Sequence, residues 1–284
     1  MTTRHAPRGI PMFLAAVAVL WLLPVGWAVY TSLRPYADTA ARGYVSAPGT
    51  LSFANYVTAW TSADLPRFFL NTVVVVVPAV VLLLVLGAMA AFGLSRLPGR
   101  LNVALLALFA AGSLLPPHAL VIPLYRLWLA IPVPGPLGDT GVLYDQLAGL
   151  VLANVAFQLG FCVFVLSNYL RTVPGELVDA ALIDGASLLR ALWSVVVPLA
   201  RPAIAALATL EITWIYNDFL WGLMLLSSGE KRPITSALNG LQGEYFTDTN
   251  LVAAASILAA LPTLVVFLVL RRQLRRGLTL GALR

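Results

Sequence analysis

Five side chains between residues 211 and 221 carry what a polyhydroxylated ligand needs. Glu211, Asn217 and Asp218 offer carboxylate and amide groups to hydroxyl edges, and Trp214 and Trp221 offer flat faces to apolar C–H surfaces. If ALATLEITWIYNDFLWGL (206–223) is one helix, Glu211 and Asp218 share a face, with both tryptophans within about 80° of it. A second reading fits the same residues: Asn217 and Asp218 brace neighbouring helices, and the tryptophans are interface aromatics. Another polar group, Glu176, Asp179, Asp184 and Arg190, falls in VPGELVDAALIDGASLLRALWSVVVPLARP (173–202) and suits ion pairing with a partner rather than bond-making chemistry. Catalysis has nothing to stand on. A phosphate-binding glycine loop needs Gly-Lys-Ser/Thr, and the only lysine, Lys231, lies in GEKRP. Two histidines, His5 and His118, and one cysteine, Cys162, make neither a zinc constellation nor a nucleophile set on one side of a membrane. His118, beside a double proline, reads as a helix-end polar group.

The 173–202 run is expected to fold as an elbow of two short helices. Thr172 can cap the first, Pro174 and Glu176 suit its first turn, and Asp184-Gly185 signals the turn that ends it. Ser187 can cap the second, with Leu188, Leu192 and Val195 on one face and Pro198 and Pro202 as stops. Leu177, Ala180, Ala181 and Ile183 make a small apolar face that fits a groove on a partner protein. The plainer reading is an amphipathic connector on the membrane surface, although such connectors usually carry a more basic polar face.

The chain that holds these groups is apolar. Its 284 residues are 60% hydrophobic and 11% charged, with a mean hydropathy of +0.88, which points to an all-α integral membrane protein. Six spans are expected, at about 10–33, 68–94, 101–125, 147–169, 203–226 and 251–270, the third bent or interrupted near Pro116-Pro117. Together they make one transmembrane domain over 1–284, with the elbow between the fourth and fifth spans. With the N-terminus inside, the inner side receives twelve bases (Arg4, Arg8, Arg96, Arg100, Arg171, Arg190, Arg201, Arg271, Arg272, Arg275, Arg276, Arg284). The outer side receives six (Arg34, Arg42, Arg67, Arg126, Lys231, Arg232), so both termini and the elbow are expected in the cytoplasm. Cys162, within an apolar run, reads as a small buried hydrophobe. Phe53, Tyr56, Trp60 and the GEYFTD stretch (243–248) read either as an interfacial aromatic belt or as a surface for an external partner.

The elbow resembles the EAA loop of inner-membrane subunits of ABC importers, whose pattern is E-A-A followed by D-G-A and a later proline. Here it reads Asp179-Ala180-Ala181, Asp184-Gly185-Ala186 and Val197-Pro198-Leu199. The resemblance extends over nearly the whole chain. TLSFANY (50–56), Asn71-Thr72, Ile122-Pro123-Leu124-Tyr125, Tyr216-Asn217-Asp218-Phe219 and Arg276-Gly277-Leu278-Thr279-Leu280-Gly281-Ala282 are similar to carbohydrate importer permeases of the maltose type, in particular the six-span partner subunit. Asp179 stands where the family usually has Glu, and the tail lacks the usual Lys-Gly end.

The resemblance implies a mechanism. The loop is a coupling helix seated in a cleft of an ABC ATPase dimer, whose closure swings the spans between inward-facing and outward-facing states. Glu176, Asp179, Ala180, Ala181, Asp184, Gly185, Ala186, Arg190 and Pro198 would make that contact, and Arg275, Arg276 and Gly277 would either add a tail contact or anchor topology. Glu211, Trp214, Asn217, Asp218 and Trp221 would line the substrate path, unless the partner permease holds most of the sugar. Further partners implied are a second, non-identical permease, an external solute-binding protein, a sugar and membrane lipid, with no nucleic acid. ATP and Mg would sit on the ATPase, and this chain would bind no cofactor. The location implied is a bacterial or archaeal inner membrane. Two rivals are the same architecture serving a non-sugar solute, and a proton-coupled secondary transporter using Glu211 and Asp218.

Overall fold

The computed structural model describes residues 9–135, 138–241 and 247–280, the last ten of these as backbone only. Among them the protein is nearly all helical, with no β-strand and one isolated bridge between Pro132 and Val142. Four helices are long and apolar enough to cross a membrane: α1 (Gly9–Ser32), α4 (Leu65–Ser95), α7 (Leu147–Leu170) and the Thr249–Leu270 part of α14 (Thr249–Leu280). Two bent pairs pass the same test when each is taken together. In one, α5 (Gly99–Ser113) is followed across an 84° bend by a 3₁₀ turn (Pro117–Leu120) and α6 (Val121–Ala130). The other joins Leu188–Leu199 to α11 (Arg201–Tyr216) across 81°.

The first bend falls where the double proline was expected to interrupt the helix. Pro116 is extended at ψ 121°, because the ring of Pro117 disfavours a helical conformation in the residue before it. The second pair differs from the sequence reading. α11 ends at Tyr216 rather than running on to residue 226, and a separate short helix, α12 (Leu220–Leu225), follows Asn217–Phe219.

The chain divides into two compact units, residues 1–66 with 238–261, and residues 67–237 with 262–284. In the first, α2 (Tyr36–Arg42) and α3 (Ala54–Thr61) follow α1, and a fully buried Arg34 organises the segment between them. Its guanidinium binds Asp38 at 2.8 Å and the carbonyls of Gly43, Tyr44 and Ser46 at 3.1–3.3 Å, over the Tyr30 ring. A buried charge is tolerable only when paired and hydrogen-bonded in this way. The Arg34 hydrogen bond in turn holds the Asp38 carboxyl below the usual carboxylate range. Asn250, also buried, accepts from Thr39 Oγ1 and donates to the Thr31 carbonyl.

In the second unit α7 is the hub. Its small residues let neighbours approach closely: a Cβ on Gly160 would stand 2.4 Å from the Phe109 carbonyl oxygen of α5, and one on Gly149 2.5 Å from that of Leu143. Leu83, Leu150, Leu166, Leu207, Ile215 and Leu225 complete the core. Between the longer helices, the loop at 138–146 and the segment at 227–231 are clasped by the only lysine of the chain, which lies in a 3₁₀ turn (Gly229–Lys231). Lys231 Nζ binds Asp139 Oδ1 at 2.6 Å and the Asp145 carbonyl at 2.8 Å, while the Asp145 carboxylate accepts from the backbone of Ser227 and Ser228 and from Ser228 Oγ. Burial pushes the Asp145 carboxyl up, but these donors outweigh it and the net shift is downward.

Gly160→Val should wedge α5 from α7 and cost roughly 1–3 kcal/mol, read as a lowered Tm in detergent. The clasp supplies a pH prediction. The hydrogen bond from Lys231 holds Asp139 down at about 2. A depressed carboxyl contributes stability above its unfolded value, about 3.9, and that contribution is lost as pH falls toward the folded value. Acid-protease nicking within residues 131–146 should therefore stay flat down to about pH 4 and rise below it.

Candidate functional site

The elbow forms as its local chemistry directs. α8 (Gly175–Ile183) starts after Pro174, with Glu176 in its first turn; Thr172 does not cap it, its hydroxyl donating back to the Tyr169 carbonyl at 2.7 Å. The turn is closed by Gly185 at φ +85°, whose N–H donates to Leu182, and by Ala186, whose N–H donates to Ala181. This is the pairing that a left-handed residue makes possible at a helix end. Ser187 Oγ accepts from the Arg190 N–H at 3.3 Å and starts α9 (Leu188–Ala191). Pro198 and Pro202 do not stop this arm. It runs on through a π-helical stretch (Leu192–Val196) and α10 (Val197–Leu199) and turns at Ala200, leaving Pro198 inside the helix and Pro202 in the first turn of α11. The widened turn sits just ahead of the residue that has no N–H to donate.

Of the expected docking face, Leu177, Ala180 and Ile183 are exposed and Ala181 is half-buried. Glu176, Asp179, Asp184 and Arg190 are exposed too, and Asp179 is paired with Arg96 at 3.1 Å. On the second arm, Leu192 is buried while Leu188 is exposed, so the expected common face divides. Arg275, Arg276 and Gly277 continue the backbone of α14, and their side chains lie outside the described residues. The 243–246 part of the GEYFTD stretch lies outside them as well.

The five residues at 211–221 separate into two groups. Trp214, Asp218 and Trp221 line a cavity of about 490 Å³; Glu211 and Asn217 are not among its lining residues. Glu211 is fully buried, 3.4 Å from the Cys162 thiol. Asn217 donates back to the Thr213 carbonyl at 2.7 Å. Asp218 lies beyond the end of α11 and takes the bracing role in part: its Oδ1 accepts from the Trp221 N–H at 3.4 Å, and its carbonyl accepts from Thr235 Oγ1 at 2.6 Å.

The cavity also gathers Asn154, Phe157, Gln158 and Phe161 from α7 and Ser113 and Leu114 from the end of α5, which sequence reasoning passed over, together with Pro117 and His118, the latter expected only as a helix-end polar group. The signal was present as polar Asn154 and Gln158 four apart in an apolar run, which places them on one helical face. Four aromatic rings stand around the cavity, Phe157 paired with Trp221 at 4.6 Å and Phe161 with Trp214 at 6.4 Å. Polar ends among flat apolar faces are what recognition of a hydroxylated ring requires.

A family model described as "Binding-protein-dependent transport system inner membrane component" matches residues 83–279, from within α4 through the elbow and cavity to the tail. The chain belongs to that family. Among the transport components it is similar to is the melibiose/raffinose/stachyose import permease protein MelC of Bacillus subtilis, 32% identical over 98% of this chain and 96% of that one. The diacetylchitobiose uptake system permease protein NgcG of Streptomyces coelicolor is also 32% identical, over 95% of this chain and 87% of its own length. In fold, this inner-membrane component matches a chain of a bacterial ABC transporter that imports the acidic polysaccharide alginate, with a TM-score of 0.73 at 22% identity, covering 95% of this chain and 99% of the other.

The elbow yields one prediction. Proline cannot reach positive φ and would remove the N–H that donates to Leu182. Gly185→Pro should leave this inner-membrane component inserted but abolish transport, whereas Gly185→Ala, at roughly 1–2 kcal/mol, should only slow it. Uptake assays beside a membrane-fraction immunoblot check both.

Proposed function

We propose that the chain is the six-span permease half of an ATP-driven importer and forms part of the path of an oligosaccharide. One observation carries the substrate class: a cavity of about 490 Å³ with four aromatic rings and the polar ends of His118, Asn154, Gln158 and Asp218, in a chain similar over nearly its whole length to import permeases for melibiose and diacetylchitobiose. Four long helices and the bent α5–α6 pair support five spans, and α11 with α12 supplies the sixth, which leaves Leu188–Leu199 with the elbow. The twelve-to-six distribution of bases counted above supports cytoplasmic termini and a cytoplasmic elbow.

In this reading Glu176, Ala180, Ala181, Asp184 and Gly185 meet an ATPase dimer, with Asp179, Ala186, Arg190 and Pro198 shaping the contact and Arg275, Arg276 and Gly277 adding to it. A second, non-identical permease completes the path, and an external binding protein delivers the sugar; a related alginate transporter has been seen with an alginate pentasaccharide-bound periplasmic protein. ATP and Mg belong to the ATPase, and this chain works as a transport subunit rather than an enzyme, in a bacterial or archaeal inner membrane. A proton relay through Glu211 and Asp218 fits less well, because Asp218 lines the cavity and Glu211 does not.

The test begins with the tagged chain purified from native membrane in mild detergent. An ATPase chain and a second permease should travel with it; a chain that purifies alone and moves substrate on a proton gradient overturns the reading. In the assembled transporter, Trp214→Ala and Gln158→Ala should each lower uptake at subsaturating sugar about tenfold, as expected for loss of ~1.4 kcal/mol of contact. Unchanged uptake in both would leave the cavity a packing defect.

A further inference from the structure

The first arm of the elbow is tied to a helix far from it in sequence. Arg96, the residue after α4, donates from Nη1 to Asp179 Oδ1 at 3.1 Å, and its guanidinium lies 5.3 Å from the centre of the Phe92 ring. Phe92 belongs to one buried cluster with Val178, the neighbour of Asp179, and with Ala191, Leu192 and Val196 of the second arm. A small cavity of about 170 Å³ beside it is lined by Arg96 and Phe92 from the α4 end and by Gly175 and Val178 from α8. An ion pair, a stacked guanidinium and an apolar cluster thus join α8 to the end of α4, although the neighbours of α8 in sequence are α7 and α9.

We propose that Arg96 is a positioning residue of the elbow, passing displacement of α8 to α4 through Asp179. This rests on the reading of the elbow as the ATPase contact. Displacement delivered to α8 then reaches α7 and α9 through the backbone and α4 through Arg96. With Asp179 63% exposed, the pair is the kind that contributes little to folding and can break and re-form. The stacked arm keeps the guanidinium in place while it does so. The shorter aspartate arm at 179 fits this role, because it meets a partner within its own chain.

A double-mutant cycle in the reconstituted transporter, with ATPase chains and sugar-loaded binding protein, tests the proposal. Arg96→Gln keeps a polar side chain but removes the charge and the guanidinium over Phe92. It should lower sugar-stimulated ATP hydrolysis about fivefold while the ATPase chains still co-purify, and Arg96→Lys should retain about half of the activity. Arg96→Gln combined with Asp179→Asn should lose no more than Asp179→Asn alone. Losses that multiply in the double variant, or an Arg96→Gln activity within about twofold of the parent, overturn the proposal. Loss of the ATPase chains from the Arg96→Gln preparation alone also overturns it, since Arg96 would then be an assembly contact. Absence of ATPase chains from the unsubstituted preparation instead overturns the reading on which it rests.

Discussion

A backbone that leaves a helix inside an apolar protein must find its hydrogen bonds within the protein. Two apolar helical runs are broken here, at Leu114–Pro116 and at Asn217–Phe219, and residues from beside both breaks line the same cavity. The second break is sealed by side chains: Asn217 on the Thr213 carbonyl, Asp218 on the Trp221 N–H, and Thr235 on the Asp218 carbonyl. Of these sealing groups Asp218 also lines the cavity, so bracing and binding are not exclusive roles for it.

How much of this could be read in advance follows from the range of each interaction. The elbow was legible because its turn and second cap are made within a few residues, by Gly185 and Ser187. The first break was legible because Pro-Pro acts on its own neighbours. The second was not, since 206–217 contains neither Pro nor Gly and the stabilising Thr235 is distant in sequence. Pro198 misled for the opposite reason: the local rule says stop, yet burial of Leu192 and Val196 against Phe92 favours a π-widened helix that accommodates it. The pairing of Arg96 with Asp179, 83 positions apart, and the Lys231 clasp belong to tertiary structure alone.

α7 connects the two sites. It carries Asn154 and Gln158 at the cavity, Gly160 against α5, and ends where the elbow begins. Twenty-four residues of helix without proline make a rod of about 36 Å, and its close contact at Gly160 lets it carry α5 when it tilts. On the reading proposed above, a displacement at the elbow would reach the cavity through this one element, with α4 as a second route.

The sole cysteine adds a practical consequence. Cys162 has no exposed surface, faces Gly87 at close range and lies against Glu211. A buried, uncharged thiol is a poor nucleophile. The native chain is in effect already a cysteine-silent background, so a single cysteine introduced at an exposed position gives one addressable site for a spectroscopic label without first altering the packing between α4 and α7.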